Sequence, residues 1–515
     1  MAEEVELKLA LAEDHQERFL RHPLLKTAVE RHVDTLDNIY YDTAGLSLRR
    51  RGISLRLRRK GRDWLQTVKL AGSSSAGLSS RPEWETPYSG HFDFSAVDHL
   101  PTQKWIARPK LLAHIVPICE TRFRRITWKF PAASGHVLLT LDRGWIIANG
   151  RREAISEVEL ELAGAPVSAI FELATQLAQR VALTPSVLSK AERGYRLHTG
   201  APHAPCKAGT VALSATMAPA DAFRRIALDC LQHLQLNHAG ALASEDPEYI
   251  HQMRVATRRL RAALRLFGPV LPGHLAASLR DPLAELTRQL GMARDLDVLL
   301  SEIANPVLAA LPDEPRLPAL ASDITNRRYA ARALAVALLA APDYGRILLA
   351  ALESLHALPA IDPAAPGLAG FATSRLRRLR KKLRQLVAAA AINDPSTLHA
   401  LRIGVKRMRY ALEFFSPLAP AKASCRAIRV LARVQDTLGQ LNDLNSAGAM
   451  LMDCAGDDPR LREAVTLIGG WHGPRYAKLL VAISRDLELL TQLRLPKLAW
   501  QTAKHPARPG DLPDA

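Results

Sequence analysis

Along the first 200 residues, charge of one sign returns at every second position. Glu4-Val5-Glu6-Leu7-Lys8 alternates charged with apolar residues, and so does Ile53-Ser54-Leu55-Arg56-Leu57-Arg58. Arg122 and Arg124 repeat the basic version, Glu83 and Glu85 the acidic one, Glu157, Glu159 and Glu161 extend it, and Lys69 ends a further segment. Residues i, i+2 and i+4 of a β-strand share a face, so each segment projects a stripe of like charge. A single solvated E-x-E-x-K face is ordinary in an antiparallel sheet. So many single-sign stripes suit instead a closed barrel, whose interior and exterior alternate along every strand. Basic stripes inside such a barrel grip phosphate oxygens. Acidic stripes alone repel the same ligand, so their presence implies a hard divalent cation with oxygen ligands, such as Mg²⁺.

Further strands are expected over 64–70, 81–86, 120–130, 136–141 and 156–162, and helices over 16–29 and 167–180. Turn signals such as Lys60-Gly61 and Asn149-Gly150 separate the strands. Here the chain resembles the CYTH family, in the branch fused to a CHAD domain. The resemblance covers residues 1–197. Its carriers are Glu4-x-Glu6-x-Lys8, Tyr40-Tyr41-Asp42-Thr43, Arg56-x-Arg58, Trp64 through Lys69, Arg81-Pro82-Glu83-Trp84-Glu85, Asp142-Arg143-Gly144, Glu157-x-Glu159-x-Glu161 and Ser189-Lys190-Ala191-Glu192-Arg193-Gly194-Tyr195.

The resemblance implies an eight-stranded antiparallel β tunnel open to triphosphorylated substrates. By position in the motifs, it implies that Glu4, Glu6, Glu157 and Glu159 bind a divalent metal, Mg²⁺ ahead of Mn²⁺. Lys8, Arg56, Arg58, Lys69, Arg122 and Lys190 then grip the triphosphate. Arg124 shares a face with Arg122, and either fits that role. Tyr40 pairs with Lys8 as a water-activating unit, although a lysine beside two carboxylates tends to keep its proton and serves as an orienter as readily as a base. The implied reaction is hydrolysis of inorganic triphosphate to pyrophosphate and phosphate, which needs mainly positioning and charge neutralisation. Adenylyl cyclases of class IV, thiamine triphosphatases and fungal RNA triphosphatases share the fold. No base-recognition residues stand out here, which favours a substrate without a base.

Residues 198–216 have Pro, Gly and small residues without a period and read as a linker. Beyond it the apolar residues take 3–4 spacing, so the fold class is α+β followed by all-α. The segment DPEYIHQMRVATRRLRAALRLF at 246–267 returns as DPSTLHALRIGVKRMRYALEFF at 394–415, an offset of 148 that also aligns Phe223 with Phe371 and LGMARDLD at 290–297 with LGQLNDLN at 438–445. Two duplicated helical bundles follow, about 217–365 and 366–500, with a flexible tail at 501–515. His251, Arg254, Arg258, Arg261 and Arg265 make one helical stripe, and His399, Arg402, Lys406 and Arg409 make its copy before Glu413 departs from it. Ala256, Leu260, Ala263, Leu264 and Phe267 form a packing side, and Asp246-Pro247 and Asp394-Pro395 supply N-caps with proline in the first turn.

A solvated basic face is one reading of the stripes. Like charges three and four apart repel, however, and the stripes lack interleaved acids, which favours an anion site. Metal binding by the two histidines is disfavoured, because an arginine stands where a second ligand is needed. Arg294-Asp295-x-Asp297 and Asn442-Asp443-x-Asn445 hold the arginines or are ordinary packing polar groups. This half resembles the CHAD domain, which implies inorganic polyphosphate binding in a basic channel between the bundles, extended by basic residues over 375–384.

The chain has 69 Lys and Arg against 51 Asp and Glu, a net charge of +18. Residues 1–200 hold 29 basic and 23 acidic residues, and residues 201–515 hold 40 and 28, so both halves expect a polyanion. Aromatic residues are 5% of the chain, too few for the stacking platforms of single-strand nucleic-acid binding. No apolar run is long enough for a bilayer. Five cysteines with no CxxC fit a reducing cytoplasm, and the polyphosphate binding implied by the resemblance adds association with polyphosphate granules. Two alternatives stay open: a non-catalytic polyphosphate adaptor, and a triphosphatase acting on a nucleoside or RNA 5′-triphosphate.

Overall fold

The computed structural model describes residues 2–359 and 367–498, so the tail expected at 501–515 lies outside the described residues. Ten strands form one antiparallel sheet: β1 (Ala2–Leu11), β2 (Glu30–Thr43), β3 (Ile53–Lys60), β4 (Asp63–Leu70), β5 (Ser73–Ser75), β6 (Leu78–Pro87), β7 (Ile115–Pro131), β8 (His136–Ala148), β9 (Arg151–Ala163) and β10 (Leu183–Pro185). Their order is β10-β1-β9-β8-β7-β2-β3-β4-β6-β5, and β1 also pairs with β6. That pairing closes eight strands into the expected barrel, with β5 and β10 attached outside the ring. Strand β2 shows no alternation in its charged first half; its buried positions begin at Leu36.

The helix expected over 16–29 stops early. Gln16–Leu20 is helical, and Pro23 opens a separate 3-10 turn over Pro23–Thr27, since proline lacks the donor a continuing helix needs. Asp42 shows why the Tyr-Tyr-Asp-Thr segment matters locally. Its buried carboxylate accepts from the backbone N–H groups of Thr43 (2.7 Å), Leu48 (2.8 Å) and Arg49 (2.9 Å), which folds the chain sharply between β2 and β3.

The principal helices are α1 (Val167–Ala178), α2 (Lys190–Thr199), α3 (Pro219–Ala243), α4 (Pro247–Phe267), α5 (Gly273–Val298), α6 (Arg316–Ala340), α7 (Pro342–His356), α8 (Leu368–Ala388), α9 (Pro395–Phe415), α10 (Ala421–Ala455) and α11 (Pro459–Thr491). Helices α4 and α9 start and end at the same offset, 247 against 395 and 267 against 415. The Asp246 and Asp394 carboxylates accept from the N–H groups of Glu248 and Ser396, as N-caps do. The repeat also builds a core. Phe267 stacks on Phe371 at 5.2 Å and meets Phe223 and Phe415 at 5.8 Å, so two repeat-related pairs of phenylalanines pack together. No single described helix is long and apolar enough to cross a membrane.

Two compact units result. One is built from Met1–Lys207, Leu231–Met253 and Val336–Ala357, the other from the remaining described residues. The contiguous division expected at 198–216 is therefore not the whole account. Within the first unit α7 covers α1, where Phe171 stacks on His356 at 5.4 Å, and Gln235 donates to the Ala76 carbonyl at 3.0 Å.

Candidate active site and anion-binding helices

Strand register turns the charge stripes into a lined tunnel. On β1, Glu4 sits beside Arg81, Glu6 beside Glu161 and Lys8 beside Glu159. Around the ring, Glu157 sits beside Asp142, Asp142 beside Arg125, Asn38 beside Arg58, Tyr40 beside Arg56, Thr67 beside Glu85, and Lys69 beside Glu83. Glu4, Glu6, Lys8, Tyr40, Arg56, Arg58, Lys69, Arg125, Glu159, Glu161 and Lys190 all line one cavity of about 750 Å³.

The charges separate into two clusters. In the first, Asp142, Glu157 and Glu159 place carboxylate oxygens within 4.8 Å of one another. Lys190 reaches all three, at 2.6 Å from Asp142 and 3.1 Å from Glu159, with Glu157 as its third partner. Lys8 bonds Glu159 and lies 3.6 Å from Glu157, Arg125 bonds Asp142 and Glu159 at 2.6 Å, and Arg193 lies 3.2 Å from Glu157. Burial by itself favours the neutral forms. The Glu159 and Glu157 charges outweigh it at Lys8 and hold that ammonium well above its usual range, while Lys190, Lys8 and Arg125 hold the Glu159 carboxyl well below its own. Lys8 thus keeps its proton and acts as a fixed cation. Lys8 and Tyr40 line the same cavity, and among the described residues no hydrogen bond joins them directly.

The second cluster faces the cavity with carboxylates in excess. Lys69 pairs with Glu4 at 2.7 Å and Glu83 at 2.9 Å, Arg56 with Glu83 at 3.5 Å, and Arg58 with Glu85 at 3.9 Å. Burial, then the nearby Glu4 and Glu6, pushes Glu161 up to about 7. Burial together with Arg56 and Arg125 lowers Arg58 to about 10, still protonated at neutral pH. An oxygen-only group of crowded acids fits a divalent metal, which takes such ligands and relieves their repulsion. Glu4, Glu6 and Glu161 face the cavity close enough for their charges to bear on one another, with Glu4 also paired to Lys69. Asp142, Glu157 and Glu159 also bring their oxygens close enough to hold a cation, and in this structure the Lys190 ammonium stands among them.

Arg122 and Arg124 also need correction. Both are exposed on the outer face of β7, where Arg122 pairs with Glu120 at 2.8 Å, while Phe123 and Arg125 face the cavity. Inward positions on β7 have odd numbers, and the stripe read from the sequence has even ones. An Arg122→Ala/Arg124→Ala variant is therefore expected to keep the cavity's affinity for a phosphate anion within about twofold, whereas Arg58→Ala weakens it at least about tenfold, by calorimetric titration.

In the helical region the two stripes supply a second cationic cluster. Arg254 of α4 pairs with Asp295 at 2.6 Å, and His399 Nδ1 of α9 meets Asn442 Oδ1 at 3.0 Å, so the Arg-Asp and Asn-Asp segments do hold stripe residues. Arg254, Arg258 and Arg402 bear on Lys406, which burial and their charges lower to about 6. Arg261 and Arg265 lie further along α4, where Arg265 is lowered by burial and by Arg407, Arg261 and Arg280. Arg409 turns to Glu413 at 3.5 Å, and Glu413 also holds Arg259 at 3.3 Å. His251 stands in the first turns of α4, in the stretch grouped with the barrel unit.

The family model for the CYTH domain matches residues 2–195, and that for the CHAD domain matches residues 225–452. A solved CHAD domain from the plant Ricinus communis is 35% identical, in a match covering 58% of this chain and 100% of that one, with a TM-score of 0.50. The chain is a CYTH–CHAD protein. The CYTH–CHAD protein is also 29% identical over 205 residues to an inorganic triphosphatase of Haemophilus influenzae, covering 38% of this chain and 55% of that one. A Mycobacterium tuberculosis protein is 28% identical over 318 residues, covering 57% of this chain and 58% of that one. The chain thus spans little more than half the length of the curated relatives it matches.

Four residues of the CYTH barrel escaped assignment from sequence: Arg125, Asp142, Glu161 and Arg193. Glu161 was legible as the third member of its stripe. Arg125 was masked by the basic neighbour at 124; Asp142 reaches the cluster through the register of β8 with β7 and β9, and Arg193 reaches Glu157 from α2.

Proposed function

We propose that the CYTH barrel hydrolyses inorganic triphosphate to pyrophosphate and phosphate with a divalent metal, Mg²⁺ ahead of Mn²⁺, and that the CHAD helices bind inorganic polyphosphate. The observation that carries the first part is one cavity lined by Lys8, Arg56, Arg58, Lys69 and Lys190 on the cationic side and by Glu4, Glu6 and Glu161 on the acidic side. A metal bound by those three glutamates supplies charge withdrawal from the phosphoryl oxygens. Arg56, Arg58 and Lys69 hold the substrate's phosphate oxygens and exchange their carboxylate partners for them. Lys8 stays an ammonium and orients; Tyr40 offers a hydroxyl to the same cavity. The proposed location of this work is the cytoplasm, in association with polyphosphate granules.

The test is a panel of triphosphate, ATP, thiamine triphosphate and long polyphosphate, each with Mg²⁺ and Mn²⁺. Triphosphate is the expected preference, and Glu4→Gln/Glu6→Gln is expected to lose at least about tenfold in phosphate release. Equal activity in that variant overturns the assignment. The second part rests on Arg254, Arg258, Arg402 and Lys406 crowding together with few acids. Arg254→Glu/Arg402→Glu is expected to release polyphosphate, measured by retention of the full chain on a polyphosphate matrix. Preferential retention of RNA by the unaltered chain displaces this reading.

A further inference from the structure

Helix α11 carries Ile468-Gly469-Gly470-Trp471-His472-Gly473-Pro474 in its interior. Glycine and proline are the two residues least suited to that position. Close helix packing does not account for the glycines, because a Cβ added at 469, 470 or 473 meets no atom within 4 Å. The same stretch meets a π turn over Leu299–Ala304, an uncommon distortion that is frequent at functional sites. His472 Nε2 lies 2.9 Å from the Ile303 carbonyl, and Arg475 donates to that of Glu302 at 3.3 Å, so α11 holds the turn's carbonyls. Between α10, α11 and this turn lies a cavity of about 310 Å³. Leu444, Leu451, Val465 and Ile468 give it apolar walls, Tyr476 adds an aromatic ring, and Gly448, Gly469 and Gly473 leave it open. Among the described residues no Asp, Glu, Lys or Arg lines it. Its α11 wall lies beyond residues 225–452, which the CHAD model matches.

One polar atom in this apolar wall lacks a partner. His472 is 4% exposed and lines the cavity. A carbonyl only accepts, so the Nε2 beside Ile303 carries the hydrogen and the neutral ring keeps a bare acceptor at Nδ1. That Nδ1 finds no hydrogen-bond partner among the described residues, and a buried acceptor left so costs free energy until a donor arrives. We propose that this cavity binds a small neutral molecule, an apolar ring system bearing one O–H or N–H that donates to His472 Nδ1. The volume stands at the lower end of the range for ligand pockets, about 300–1,000 Å³, and suits one or two fused rings. A lining without charge disfavours a phosphate or carboxylate, so the site is distinct in chemistry from the basic stripes of α4 and α9. The glycines weaken α11 as a helix, and the space beside His472 is what they leave.

The experiment titrates indole and 1-methylindole into the full chain by calorimetry. The two share a ring system, and only indole has the donor. Indole is expected to bind with a Kd below about 1 mM, and 1-methylindole about tenfold more weakly, for want of one hydrogen bond to a buried acceptor. His472→Gln keeps an amide N–H for the Ile303 carbonyl and removes the Nδ1 acceptor. It is expected to weaken indole to the level of 1-methylindole and to leave 1-methylindole unchanged. Gly448→Leu/Gly469→Leu fills the cavity and is expected to abolish binding of both probes while raising the thermal midpoint, since leucine is the better helix former. No binding of indole, or equal binding of the two probes by the unaltered chain, overturns the proposal, and neither result depends on a variant folding. Indole binding that survives the leucine pair with its preference intact overturns it as well.

Discussion

Replacing Lys190 by methionine is expected to cost the CYTH barrel about 3–5 kcal/mol of stability and to stop the proposed triphosphate turnover. Methionine keeps the buried stem but removes the ammonium that stands among Asp142, Glu157 and Glu159. Their side chains are 0%, 5% and 10% exposed, so water cannot replace the lost cation. Lys8, Arg125 and Arg193 remain, but each already serves one or two of the same carboxylates. The sign with pH follows from the depressed carboxyls. In the unaltered protein the Glu159 and Asp142 shifts contribute stability that is present above the unfolded carboxyl range and lost as pH falls through their folded values. The variant has less of that contribution to lose. The gap between the two proteins, read by urea denaturation, is therefore expected to be widest near pH 7 and to narrow toward pH 4. A variant as stable as the parent at pH 7 removes the cluster from the account of the fold.

The proposed polyphosphate binding by the CHAD helices is expected to take up a proton. Lys406 is lowered to about 6 in the free protein, chiefly by burial and then by Arg258, Arg402 and Arg254. A polyanion laid against those arginines cancels their repulsion and lets Lys406 regain its charge. Affinity then falls as pH rises above 6, by up to about tenfold per pH unit while the free amine is neutral and the bound one is charged. Titrations in two buffers of different ionisation enthalpy measure the proton directly. Lys406→Arg is expected to flatten the pH dependence and to bind more tightly at pH 8. A parent protein with no proton uptake, or an arginine variant with the same slope, contradicts the role given to Lys406.

Much of the site was legible because a strand offers two faces and no more. Glu4, Glu6, Lys8, Arg56, Arg58, Lys69 and Glu159 were assigned to the interior by alternation, and all line the cavity. Arg122 and Arg124 failed by the same rule, because basic residues at 122, 124 and 125 let either parity carry charge. Strand β2 was illegible since its first residues lie exposed at the rim. The exchange of segments between the compact units was also hidden, because α3, α4 and α6 each run through a unit boundary without interrupting their helical pattern.

The sequence by itself determined two things about this protein. Single-sign alternation required a closed sheet with a charged interior, because no solvated face explains so many like stripes. The 148-residue offset required two matching helices with basic stripes, because local helical spacing alone decides which residues share a face. Tertiary structure decided which charges neutralise one another. Lys8 and Glu159 are 151 residues apart, and Lys190 and Glu159 are 31 apart. Barrel register brings the first pair together and the seat of α2 brings the second, and from those contacts follow the fixed proton on Lys8 and the ammonium held among Asp142, Glu157 and Glu159. Ionisation depends on distance and burial, and neither is set by position along the chain.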